Sequence, residues 1–316
     1  MNYGDLIRDS FRITWRNRYL WFFGFFASMG SSSFNYSSSG NTGGDFDEQS
    51  STEIASISAA AIQSPFQNIA LIIALIVVGL VVFLIFFAIY LVSQGGLTDS
   101  VAAIERGQRR SFSSTWRAGT GFFWRVLGQV LLFVGIVLGL LLVVAIPIGA
   151  LVGGAFLTDS TAFRVVAIII AIPIGIAALL AIFIPIAIIR QFARRTMVVG
   201  GDSVIDSVRS GYRMFRHNLG RSLLVWLIQL GIMIAASIAL IIALLIVGLI
   251  LFLPTILLAV AGSTTAAIVT GIIAGVILLP VLIVTAAILG TFNHSYWTLA
   301  YLRMTSGTSG GTPRVV

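Results

Sequence analysis

Polar and apolar residues alternate along this chain in blocks, each longer than a soluble fold would use. Continuous apolar runs cover Ile69–Val92, Val126–Gly153, Val165–Ile189 and Ser222–Leu253. A fifth, roughly Ala266–Phe292, is richer in small residues but uncharged. Each reaches the ~20 apolar residues that a membrane-crossing helix needs. The runs do not alternate with a period of two, so they do not read as barrel strands. Helices satisfy their own backbone in lipid, so the runs predict spanning helices. A shorter run, Tyr19–Met29, predicts a first span only if it extends toward Tyr36. A cleaved signal peptide is the competing reading of that stretch, but an 18-residue leading region that contains acids is unusual for one.

Between the runs lie short helical patterns with two faces. In Gly201–Arg213 and just beyond, Asp202, Asp206, Arg209, Arg213 and Arg216 recur at helical spacing. Val204, Val208, Tyr212 and Phe215 fall opposite them. Near the N-terminus Asp5, Asp9, Arg12 and Arg16 oppose Ile7, Phe11 and Trp15. Acids in the first turn and arginines in the last suit the helix dipole. Both stretches predict amphipathic helices lying in the membrane interface.

The two stretches are also related. GDLIRDSFRITWR (Gly4–Arg16) and GDSVIDSVRSGYR (Gly201–Arg213) share Gly, Asp, Asp, Ser, Arg and Arg at matching positions. A diverged copy runs from Asp99-Ser100-Val101 to Trp116-Arg117. Each copy precedes a pair of apolar runs. The chain therefore predicts an all-α, polytopic membrane bundle of about six spans, built as three helix-plus-hairpin pseudo-repeats. The expected boundaries are one membrane domain over residues 1–304, with repeats at about 1–93, 96–189 and 200–304. Residues 30–64, rich in Ser, Gly and Asn, predict a flexible exterior loop. Residues 305–316 predict a disordered cytoplasmic tail.

Composition agrees with this picture. Of the 316 residues 58% are hydrophobic and only 9% charged, with a mean hydropathy of +1.04. That excludes a soluble globular protein, which needs far more polar surface. All 19 basic residues are arginine. With six spans, every arginine but Arg164 falls on the side of the N-terminus, and the positive-inside rule makes that side cytoplasmic. Both termini are then expected inside.

Candidate chemistry is sparse. The absence of cysteine removes thiolate sites, and the absence of lysine removes Schiff-base and P-loop chemistry. Arg125 and Arg164 sit at span starts, and the spans themselves read as free of ionisable groups. Gln129 and Gln229 are the deepest amides and are expected to bond between helices. Gly135/Gly139, Gly149/Gly153 and Gly271/Gly275 form G-x-x-x-G pairs that allow close helix packing. Pro147, Pro173, Pro185, Pro254 and Pro280 mark kinks or span ends. Gly307-x-Ser309-x-Gly311 matches a nucleophile-elbow pattern but lacks the strand–turn–helix context and any acid–base partner. His294 reads as an interfacial hydrogen-bonder. No catalytic residue, metal site or cofactor is expected. The expected partners are membrane lipids, with a protein partner or a second copy also open, and no nucleic acid. Arg12, Arg16, Arg209, Arg213 and Arg216 are the candidates for lipid-headgroup contact.

Three segments carry a resemblance: GGLTDSVAAIERGQRRSFSSTWRAGTGFFWRVLG, GGDSVIDSVRSGYRMFRHNLGRSLLVW and FNHSYWTLAYLRM. They are similar to elements of uncharacterised bacterial six-span families, and to the membrane domain attached to some glycerophosphoryl diester phosphodiesterases. The catalytic barrel of those enzymes is absent. The resemblance implies an integral bacterial membrane domain without a known substrate, and the absence of catalytic constellations beside repeated interfacial helices makes a non-enzymatic protein the expectation. The expected role is a membrane scaffold or accessory protein. A transporter or channel component for a neutral or lipidic solute is the alternative.

Overall fold

The computed structural model describes residues 2–29, 69–158 and 160–306, and all regular structure among them is helical. Four short helices, α1 (Tyr3–Arg16), α2 (Leu20–Met29), α4 (Phe112–Gly121) and α7 (Val204–His217), accompany five long ones. The long helices are α3 (Ile69–Glu105), α5 (Phe123–Phe156), α6 (Thr161–Val199), α8 (Leu219–Val260) and α9 (Thr264–Ser306). Each of the five is long and apolar enough to cross a membrane. At the place of the first expected span lies α2, whose ten residues rise about 15 Å, half a hydrocarbon core and too short to cross by themselves. The rest of that expected span and the acidic loop lie outside the described residues. Helix α9 runs to Ser306, two residues into the expected tail, and the remainder of the tail is also outside the described residues.

Local chemistry starts and stops these helices. Side-chain caps open three of the short ones: Asn2 accepts from Gly4 N, Ser111 forms a capping box with Ser114, and Ser203 accepts from Asp206 N. Gly107 and Gly201 close α3 and α6 with φ of 79° and 77°, a region that favours glycine. The five expected kink prolines lie inside α5, α6, α8 and α9.

Helices α1, α4 and α7 gather at one end of the bundle. Each packs on a long helix that finishes there: α1 on α9, α4 on α3 and α7 on α6. The contact faces are made of small residues one turn apart. Ser10/Thr14, Thr115/Gly119 and Ser207/Gly211 are all buried. A Cβ on Gly211 would stand 2.8 Å from the Ala193 backbone nitrogen, and one on Gly96 of α3 would stand 2.5 Å from the Thr115 carbonyl. Side-chain links cross each pair. Arg303 of α9 pairs with Asp9 of α1, Ser100 and Thr115 hydroxyls share a 2.7 Å bond, and Thr196 donates to the Ser207 carbonyl at 3.3 Å.

The packed core sits at this same end. Leu6, Leu20, Phe23, Leu97, Phe192 and Trp297 belong to it and are fully or almost fully buried. Away from it the long helices expose their apolar side chains, as Ile73–Phe86 of α3 and much of α8 do. Exposed apolar surface on this scale calls for an apolar environment, as a membrane supplies.

The expected G-x-x-x-G pairs are not where helices meet closely. No atom lies within 4 Å of a Cβ built on Gly135, Gly139, Gly149, Gly153 or Gly275, and Gly271 meets only Thr255. The close crossing is instead between α2 and α9, at Gly24 and Gly290. Spacing within one helix does not say which face meets a neighbour, and these two glycines are 266 positions apart in the sequence.

Candidate functional site: an apolar crevice with a polar head

Helices α3, α5 and α6 do not pack fully together. Between them lies a crevice of about 1040 Å³. Its walls are apolar over most of their length: Val82, Phe83 and Phe86 from α3, Val134 and Leu138 from α5, and Phe183 from α6. At the end nearest α1, α4 and α7 the lining turns polar, with Tyr90, Gln129, Arg190 and Arg194. The chain directions explain this segregation. Helices α3 and α6 run toward that end and α5 runs away from it, so the C-terminal parts of two meet the N-terminal part of the third. From Gly79 to Tyr90 the crevice follows α3 for about 16 Å, close to half the ~30 Å hydrocarbon thickness.

The arginines at the head are a departure from the sequence reading. Arg190, Arg194 and Arg195 were expected in a loop after a span ending at Ile189. Helix α6 instead continues to Val199, and Phe192–Val198 are buried. Charge marks these residues as loop, yet Arg, Gln, Phe and Ala are compatible with helix, and nothing breaks it before Gly200 and Gly201. Arg194 is 4% exposed and donates from Nη1 to Gln94 Oε1 of α3. Gln94 in turn donates from Nε2 to the Ala27 carbonyl at 2.6 Å, tying α2, α3 and α6 together. Arg195 is fully buried and turns back on its own helix, donating to the Gln191 carbonyl and to Gln191 Oε1. Among the described residues neither guanidinium meets a carboxylate. His294 of α9, expected at the interface, is buried.

The two deep glutamines separate. Gln229 of α8 donates to Asn293 Oδ1 at 2.5 Å and accepts from Trp297 Nε1 at 2.6 Å, the interhelical role expected of it. Gln129 of α5 is 1% exposed, and neither of its side-chain polar atoms has a hydrogen-bond partner among the described residues. It lines the crevice. A buried amide left unpaired costs about 1–3 kcal/mol, so such a group points to a missing partner.

The candidate headgroup arginines are all on the surface. Arg12, Arg16, Arg209, Arg213 and Arg216 are exposed, and only loose (i,i+3) pairs with Asp9 and Asp206 involve Arg12 and Arg209. On α1 the exposed Phe11 and Trp15 rings stack at 5.8 Å beside them, and Tyr212 is exposed on α7. The helices thus carry a third face, the small-residue one described above, which the two-faced sequence pattern did not separate. A second, smaller groove of about 380 Å³ runs between α5, α6 and α7, with Arg209 and Tyr212 at its rim. At the far end of the bundle Arg164 donates to the Thr158 carbonyl and lies 5.7 Å over the Phe156 ring.

Among the described residues no group of three or more His, Cys, Asp or Glu side chains is arranged to hold a metal ion. A search of the curated proteins gave no match, and a search of the solved structures gave none either. A family model does match, over residues 16–308, without any link to the phosphodiesterase-attached membrane domain. The chain belongs to that family, a family of unknown function (DUF7544).

Proposed function

We propose that this protein is a non-enzymatic integral membrane component that holds a bilayer amphiphile in the crevice between α3, α5 and α6. In this reading it serves as a scaffold or accessory protein of a bacterial cytoplasmic membrane. Both termini and the α1, α4 and α7 helices lie on the cytoplasmic side. The observation that carries the reading is the crevice itself. Its apolar walls lie along helices whose exposed faces suit the hydrocarbon of a membrane, and water gains nothing in such a space. The surface arginines Arg12, Arg16, Arg209, Arg213 and Arg216 then contact anionic headgroups around the bundle, with Phe11, Trp15 and Tyr212 at the acyl boundary.

A carrier for a neutral or lipidic solute is the second reading, favoured by the same crevice and by five prolines inside the long helices.

The test is lipid retention. The protein is extracted gently from its membrane and examined by native mass spectrometry beside Val134→Trp, which places a bulky ring on the apolar wall of the crevice. A discrete amphiphile on the wild type, lost from a variant with unchanged elution and melting, supports the binding role. A wild type that carries no amphiphile, or a variant that keeps it undiminished, refutes that role. Substrate-dependent flux in proteoliposomes would replace the scaffold with the carrier.

A further inference from the structure

We infer that the polar head of the crevice is an anion seat, and that its occupant is a phospholipid of the near leaflet whose acidic headgroup is bound by Arg190 and Arg194 of α6 with Gln129 of α5. The inference rests on the crevice-binding reading and specifies the chemistry of what binds.

Three observations converge. The first is charge. Among the described residues two guanidiniums line the crevice and no acid does. Arg194 is almost wholly buried, its Nη1 satisfied by a neutral amide and its Nε without a partner among the described residues. Buried charges in proteins are paired, so a guanidinium without a carboxylate calls for an anion. Its planar fork of donors suits phosphate oxygens.

The second is the unused amide. Gln129 is as buried as Gln94 but, unlike it, bonds to nothing described. It lines the crevice together with Arg194, and its NH₂ can donate to an oxyanion. Gln229 shows what an amide in this bundle does when its purpose is to join helices: it is bonded at both ends.

The third is depth. The apolar part follows α3 for about 16 Å from the polar head, the reach of one leaflet. A free phosphate would need the head alone, whereas an acyl-bearing ligand uses the full length. Arg195 takes no part: it does not line the crevice and its Nη1 is bonded within α6.

The experiment uses the full chain, delipidated in detergent. Binding of phosphatidylglycerol, of diacylglycerol with the same tails, and of inorganic phosphate is measured by native mass spectrometry and by thermal shift. The wild type is compared with Arg190→Gln, Gln129→Leu and Arg194→Gln. The expected result is a preference of about tenfold or more for phosphatidylglycerol over diacylglycerol, reduced at least several-fold in each variant. Arg194→Gln also breaks a link to α3; should it fail to fold, Arg190→Gln and Gln129→Leu carry the test. Equal binding of the two lipids, or variants that keep the preference, overturns the anion seat while leaving the crevice reading standing. Binding of neither lipid overturns both. Inorganic phosphate that binds and displaces lipid at comparable concentration overturns the lipid source.

Discussion

Replacing Gly24 with alanine tests the close crossing of α2 and α9 at the packed end of the bundle. Gly24 lies at the crossing of α2 over α9, and a Cβ built there would stand 2.6 Å from both the Ala287 carbonyl oxygen and the Thr291 nitrogen. Both are backbone atoms of α9, so neither can rotate away. Ordinary contact needs about 3.5 Å, so the helices must part by about 1 Å. Gly290 faces the same constraint from the other side, with its Cβ position 2.9 Å from Ser28 Cβ. Overpacking of this kind costs about 1–3 kcal/mol, and a rigid backbone neighbour puts it in the upper half. Alanine returns about 0.5–1 kcal/mol through helix propensity. Separation also strains the 3.1 Å bond from Thr291 Oγ1 to the Leu20 carbonyl. The net loss is about 1–2 kcal/mol, and on soluble-protein scaling a fall in melting temperature of roughly 2–3 °C. Gly248→Ala is the control. It is also mid-helix, but no atom lies within 4 Å of its Cβ, so it should melt at or above the wild type. The assay is heating of detergent-solubilised protein followed by size-exclusion chromatography. If Gly24→Ala melts no lower than Gly248→Ala, α2 and α9 do not cross as described.

Three further outcomes are expected. Gln229→Leu leaves Asn293 and Trp297 without their shared partner and should lower stability by about 1 kcal/mol, whereas Gln129→Leu removes an unpaired amide and should leave the lipid-free protein as stable or more so; their melting temperatures compared in lipid-free detergent decide this. Asp9→Asn removes the main partner of Arg303, whose remaining contact is Glu105 at 3.9 Å; the groups are part-exposed, so the effect should be below about 1 kcal/mol globally and appear as faster hydrogen exchange at the end of α9. Replacing Arg12, Arg16, Arg209, Arg213 and Arg216 together with glutamine should reduce co-purified anionic lipid while leaving the melting temperature nearly unchanged, because all five side chains are exposed. An unfolded product of that last substitution would give these arginines a structural role instead.

The long helices were readable from the sequence because their signal is continuous apolarity, which needs no knowledge of neighbours. The short helices α1 and α7 were readable from the spacing of Asp and Arg. Their packing faces were not, since Ser10, Thr14, Ser207 and Gly211 look like ordinary polar or small positions until a second helix lies against them. The head of the crevice was missed for a related reason. Arg190 and Arg194 counted as loop charge, and only the continuation of α6 to Val199 brings them beside Gln129, which lies over sixty residues earlier in the chain. A signal was nevertheless present. The stretch RQFARR contains strong helix formers and no turn residue, and it follows directly on an apolar run. The G-x-x-x-G pairs show the opposite failure, since that pattern recurs in any glycine-rich span and, of these copies, only Gly271 meets a neighbouring helix, through the Thr255 side chain.

The account turns on what fills the space between α3, α5 and α6. An experimental structure in nanodiscs containing phosphatidylglycerol addresses it directly. Continuous density along Gly79–Tyr90, with its head beside Arg190, Arg194 and Gln129, is the predicted result. Closure of α3 onto α5, or those arginines engaged by carboxylates of the protein itself, would contradict it.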